Sequence, residues 1–262
     1  MATCSDLRLG GTLSGTGITG GTSINDTALS VEDWSTILGS PGMAGGVVQV
    51  NGRPGGYVAG DRLGLPRFPT LNMVVGDLNH SGGLTEPTSA EQKQTNTDEL
   101  LALVTNPAGN YLEVDMPDGT SRFIYVYNFD AAPVSQPRRQ RSIRVPMISN
   151  YTYWKEGGNQ SSDTIAGPDS LVVGGNREVY DAVLVFAGDG TFTHSTLGWS
   201  LEVDGSTGAV TVDLGARTVT QASLPADNLL IRNNRNWGWF TVGANAVTSD
   251  VSVAVTWRDS WA

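Results

Sequence analysis

Two histidines are the first residues to weigh for chemistry. His80 is followed by Ser81, and His194 lies between Thr193 and Ser195. A histidine near a hydroxyl and an aspartate is the raw material of nucleophilic hydrolysis. The G-x-S-x-G elbow that would expose such a serine occurs nowhere in the chain. Both histidines therefore read as exposed turn residues, with hydrolysis as the sharper alternative. Gly15-Thr-Gly17-Ile-Thr-Gly20 matches the G-x-G-x-x-G phosphate loop. That loop works only after a buried strand and before a helix, whose N-terminus meets the phosphate. Neither flank is present, so the segment reads as a Gly-rich connection. Glu202 and Asp204 are spaced as a strand-borne carboxylate pair of the kind a glycosidase uses. Asp189, Asp204 and Asp213 invite a calcium reading, yet no loop has the D-x-[DN]-x-[DN]-G spacing. All four read as turn acids. The lone cysteine, Cys4, and two histidines do not suit a thiol enzyme or a zinc site. The residues thus name no catalytic, cofactor-binding or metal site, and no enzyme is expected.

Two further clusters concern binding. Arg138, Arg139, Arg141 and Arg144 form a basic patch without interleaved aromatics, which reads as an ion-pairing surface between domains or subunits. Four of the seven tryptophans, Trp237, Trp239, Trp257 and Trp261, crowd the C-terminus. Aromatic side chains anchor cores and interfaces. A sugar-stacking platform is the competing reading.

The elements that would carry these residues are short strands. Asn51-Gly52 suits a type I′ turn between Gly45–Val50 and Tyr57–Val58. Leu71–Val75 is strand-like, and Pro117-Asp118-Gly119 turns Tyr111–Met116 back onto Arg122–Phe129. Residues 5–30 read as short strands or an extended arm. One helix is expected: Thr88-Ser-Ala-Glu91 is a capping box, Leu100, Leu101, Leu103 and Val104 make an apolar end, and Asn106-Pro107 stops it. Further strands are expected near 143–148, 171–173, 179–187, 197–203, 209–213 and 217–220. The C-terminus reads as a hairpin in which Trp237–Val242 and Val251–Trp257 flank a Gly/Asn/Ser/Asp turn. In the second run Val251, Val253, Val255 and Trp257 alternate with polar or small residues, as a half-buried strand requires. Ala131 to Arg144, with two prolines and polar filler, reads as a boundary, giving domains 1–135 and 136–262.

The bulk numbers agree with a packed, mainly β protein. Hydrophobic residues are 39%, charged residues 16%, and there are 33 Gly and 12 Pro in 262 residues. No run of 18 apolar residues is present, so no membrane insertion is expected. Met1–Gly11 lacks the apolar core of a secretory signal. The net charge is −10. Residues 1–137 hold 14 acidic and 6 basic residues, and 138–262 hold 12 and 10. An acidic surface repels nucleic acid.

The C-terminal half also resembles a known family. Trp237-Gly-Trp-Phe240 with Gly243 and Asn245, closed by Val255-Thr-Trp-Arg-Asp-Ser-Trp261, is similar to the end of distal tail proteins and minor tail proteins of long-tailed (siphovirus-type), notably actinobacterial, bacteriophages. Gly175–Phe192 resembles a strand of that family, with Asp181 departing where proline is common. Leu201–Asp213 with Ala216–Thr220 resembles one of its hairpins. The resemblance covers roughly residues 140–262 and includes no catalytic signature. It implies a tail-tube-like N-terminal β-domain with one helix and a C-terminal galectin-like β-sandwich. It further implies a structural virion protein of the tail tip. The expected assembly is a homo-oligomeric, hexameric ring against the tail tube protein, the tape measure protein and other tail-tip proteins. Genomic DNA would only pass through its lumen, and the acidic first half fits such a channel. The alternative is a carbohydrate-binding β-sandwich with the Trp-rich hairpin as platform.

Overall fold

The computed structural model describes residues 6–32, 46–49, 56–59, 69–128, 132–135, 141–149, 153–232 and 237–261. The fold is mainly β, with one α-helix among the described residues. The chain divides into two compact units, one ending at Gly158 and the other running from Asn159 to Trp261.

The first unit is built on an antiparallel sheet. Its strand path is Thr22–Ser23, Asp6–Leu9, Asn110–Asp115, Ser121–Asn128, Arg141–Ser149, Thr70–Val75 and Leu29–Val31. Of the 5–30 segment, Asp6–Leu9, Thr22–Ser23 and Leu29–Val31 are strands of this sheet, while Thr12–Ser14 and Gly17–Thr19 pair as a separate hairpin. Leu7, Leu9, Ile24 and Leu29 are buried. Each such aliphatic side chain contributes about 1.5–3 kcal/mol. The hairpin around Pro117-Asp118-Gly119 forms as expected, with Ser121 opposite Asp115. Asp118 accepts from the Thr120 backbone N–H at 2.9 Å, which closes the turn. Gly46–Gln49 pairs with Gly56–Ala59, while the Asn51-Gly52 turn lies outside the described residues.

The helix, α1, spans Ser89–Val104. Thr88 caps it, accepting from Glu91 N at 3.3 Å, and the Thr88 hydroxyl donates to Glu91 Oε2 at 2.7 Å. Its buried face changes character along its length. Leu100 and Val104 supply the apolar end, but Gln92, Asn96 and Thr97 are buried in the first half.

The boundary expected at 135/136 does not coincide with this division. Strand Arg141–Ser149 pairs with Thr70–Val75 and Ser121–Asn128, so it belongs to the first sheet. A prolyl stretch marks a break in regular structure, and here that break lies within one unit. The charge asymmetry shifts with it. Residues 1–158 hold 15 acidic and 11 basic residues, and 159–261 hold 11 and 5. The first unit is thus the less acidic one by balance.

The second unit is a sandwich. One sheet runs Ser161–Ile165, Val253–Trp257, Val183–Phe186, Val210–Asp213, Thr218–Gln221, Leu224–Pro225. The other runs Pro168–Val173, Gly243–Ser249, Gly190–His194, Trp199–Val203, Leu230–Arg232. Their inner faces share one core containing Phe186, Phe192, Trp199, Val212, Phe240 and Val255. The expected C-terminal hairpin is not what forms. Gly243–Ser249, read as the turn, is itself a strand, and it pairs with Pro168–Val173 and Gly190–His194. Val253–Trp257 pairs with Ser161–Ile165 and Val183–Phe186 in the opposite sheet. Trp237–Val242 makes only a bridge, Phe240 to Val179. The alternation of Val253, Val255 and Trp257 was informative about burial, and all three are buried.

Candidate functional site

His80 and His194 do not meet a nucleophile. His194 is fully buried, not an exposed turn residue. It ends strand Gly190–His194, with Trp199 and Phe240 at ring-centroid distances of 5.4 and 5.7 Å. Its Nδ1 accepts the Leu197 backbone N–H at 3.2 Å, so the proton on the ring sits on Nε2. That proton is donated to Asn245 Oδ1 at 2.9 Å. Asn245, also fully buried, accepts from the Thr241 backbone N–H and donates to the carbonyls of Leu171, Thr241 and Gly243. This node satisfies backbone groups that the irregular 237–242 segment leaves open. Nothing in it can move a proton to a substrate.

His80 is half-buried between two carboxylates. Its Nδ1 is 2.5 Å from Asp26 Oδ2, and its Nε2 is 3.1 Å from Glu99 Oε2. Burial disfavours the charged ring, but hydrogen bonds and charge from Asp26 and Glu99 outweigh it and raise its pKa above the usual histidine value. In a hydrolytic triad one ring nitrogen must be free to take a hydroxyl proton. Here both are occupied.

The remaining candidates have structural partners. Gly17 stands at φ +121, where a Cβ would lie 2.3 Å from the Gly157 carbonyl oxygen. It begins strand Gly17–Thr19, so the G-x-G-x-x-G stretch is a β-hairpin and no helix follows it. Asp189 accepts from the Ser206 side chain and backbone N–H and from the Gly205 N–H, which holds its carboxyl below the usual range. Asp213 accepts from Ala216 N at 2.8 Å. Glu202 and Asp204 are exposed. Arg144 is exposed on its strand, while Arg138 and Arg139 lie outside the described residues. Among the described residues no group of three or more His, Cys, Asp or Glu side chains is placed to hold a metal ion. No helix among them is long and apolar enough to cross a membrane.

The tryptophans divide. Trp199 and Trp257 are core residues, and Trp237 packs against that core. Trp199 Nε1 donates to the Trp239 carbonyl at 3.1 Å. Gly238 between the two C-terminal tryptophans sits at φ +80, with its would-be Cβ 2.8 Å from the Trp199 indole. The Trp-Gly-Trp spacing therefore lets the backbone lie flat on a buried ring. Trp239 is half-buried and stacked on Tyr180 at 6.2 Å and 28°, and Trp261, on strand Ser260–Trp261, is also half-buried.

One cluster escaped the sequence reading. Arg8 lies opposite Glu113 in the first sheet, and Asp6 lies opposite Asp115. Arg8 Nη2 is 2.6 Å from Asp115 Oδ1, and its Nε is 3.5 Å from both Asp6 Oδ2 and Glu113 Oε2. Glu113 is 4% exposed, and burial pushes its carboxyl up while Arg8 pulls it back. The cluster borders an open cleft of about 470 Å³ that Gly17, Ser121 and Gly157 also line. The period-two pattern put Asp6 with Arg8 and Glu113 with Asp115. Only the cross-strand register, invisible in sequence, brings the pairs together.

No family model and no curated protein matches the chain. Solved structures do. The Dit protein of phage SPP1, described as a paradigm of the hub adsorption apparatus in Gram-positive-infecting phages, aligns with a TM-score of 0.65 and 12% identity. That alignment covers 98% of this chain and 99% of that one. Chains of the phage P2 baseplate in its activated conformation align with TM-scores of 0.51 (with Ca) and 0.50 (with Sr). Their identities are 8% and 9%, with 97% of each chain covered. The chain shares the fold of these proteins across both units.

Proposed function

We propose that this chain is a structural protein of a phage tail tip. In this reading it is a distal hub that forms a hexameric ring between the tail tube and the tip and lets genomic DNA pass. The observation that carries the reading is the two-way coverage of the SPP1 Dit likeness, which spans nearly the whole of both chains at a TM-score of 0.65. The motifs of residues 175–192 and 237–261, which resemble those of distal tail proteins, support the same reading. The first unit corresponds to the ring-forming, tail-tube-like domain and the second to the galectin-like sandwich. Its neighbours are the tail tube protein, the tape measure protein and other tail-tip proteins, and its location is the virion tail. Open sheet edges suit this role, because a neighbouring subunit can pair with them. Charge balance does not single out the first unit as a DNA-repelling channel, so that part rests on the fold alone.

Absolute mass by light scattering, with negative-stain imaging of the same sample, tests the reading. Ring-shaped particles with a central hole are expected. A monomer at every concentration, with or without the tail tube protein, would refute ring formation. The half-buried, stacked Tyr180–Trp239 pair favours one second reading, glycan stacking. Trp239→Ala would abolish saturable glycan binding there while leaving ring mass unchanged.

A further inference from the structure

Residues 76–84 leave strand Thr70–Val75 and lead towards α1. Three side chains hold them. Asn96 Nδ2 donates to the carbonyls of Gly76 and Leu78, at 3.1 and 2.8 Å. The Thr27 hydroxyl donates to the Asn79 carbonyl at 2.6 Å. His80 is the third, set between Asp26 and Glu99. Asp26 belongs to the turn before Leu29–Val31, and its other oxygen accepts from Ala28 N and Leu29 N. Glu99 belongs to α1.

The chemistry of the ring sets the condition for this contact. An ionised carboxylate only accepts hydrogen bonds. An imidazole with one proton can serve one of the two carboxylates and must present a lone pair to the other. The doubly protonated ring donates to both.

We propose that His80 is a proton-dependent latch that fastens the 76–84 loop to α1 and to the 24–28 turn, and that loss of its proton frees this loop while the sheet and helix stay folded. The charged groups facing the ring are Asp26 from the turn and Glu99 from the helix. Because they hold the folded-state pKa above the unfolded value of about 6.5, the latch is fully closed below that pH. It opens as pH rises through the folded value.

Hydrogen exchange of the intact chain from about pH 5.5 to about pH 8.5, corrected for intrinsic rates, reads the latch directly. Protection of residues 76–84 falls about two- to fivefold across the range, the scale of a partly exposed ion pair. Protection of 110–128 shows no matching step. In His80→Ala the loop is weakly protected at every pH and the step vanishes. Glu99→Gln keeps the ring and removes one charge, so the step persists but moves to lower pH. Flat protection of 76–84 in the wild-type chain would overturn the proposal. So would a step that survives His80→Ala, or one that Glu99→Gln leaves in place.

Discussion

The first unit and the sandwich bury polar side chains to opposite ends. Around α1, Gln92 and Asn96 are buried so that loops can be tied to a helix. Gln92 Oε1 accepts from Thr85 and Glu86, and Asn96 reaches Gly76 and Leu78. In the sandwich the polar node of His194 and Asn245 is a small inclusion in an aromatic core. The two histidines repeat the contrast. His80 bridges two carboxylates at the surface, and His194 splints backbone in the interior. Polar burial around α1 thus positions loops, whereas at the His194–Asn245 node it completes hydrogen bonds beside a break in the strand pattern.

Substitutions can break or sharpen that contrast. The largest effect belongs to Trp199→Ala. Removing a ring that contacts Phe192, Phe240 and the Gly238 backbone costs about 3–5 kcal/mol in denaturant unfolding. A loss under about 1 kcal/mol would mean the aromatic core is not what stabilises the sandwich. Asn245→Leu comes next. It keeps volume but orphans the His194 Nε2 proton and several carbonyls, each worth about 1–3 kcal/mol, and exchange protection should fall throughout 190–201 and 241–249. Asn96→Leu is the matching change in the first unit and should cost about 2 kcal/mol. Its signature should differ, with protection lost in 76–84 and retained in 110–128. If both leucine variants instead destabilise their whole units alike, the contrast between loop-tying and core-completing amides fails. Thr88→Ala is the smallest. Loss of the cap costs about 1 kcal/mol and frays the first turn of α1 in exchange measurements, since Gln92 and Asn96 still hold the helix.

Legibility of the sequence followed how local the determining physics is. The α1 start is written in Thr88 and Glu91, and the 117–119 turn in three consecutive residues; both formed where expected. Strand existence in the sandwich was mostly readable, but partner choice was not. Val253–Trp257 has an unmistakable alternation, yet nothing in it says that its neighbours are Ser161–Ile165 and Val183–Phe186 instead of the preceding strand. Gly243–Ser249 looked like a turn because small and polar residues face outward while Asn245 is buried for its hydrogen bonds. The turn at Ala222-Ser223 carries positive φ values of 49° and 66° without glycine, which no turn rule assigns. His194 was misplaced for a related reason: its burial depends on Asn245, 51 positions away. The sequence resembled tail proteins only in motifs of the second unit, whereas the fold likeness to SPP1 Dit, at 12% identity over the whole chain, extends across both units.

The role proposed for this chain is that of a subunit of a ring at the junction of tail tube and tail tip. Cryo-electron microscopy of the virion that carries it tests this most directly. The account predicts density fitting the helix-bearing unit in a closed ring coaxial with the tube at its distal end, with a continuous central channel. Absence of the chain from purified virions, or its placement as isolated copies away from the tube axis, would contradict it.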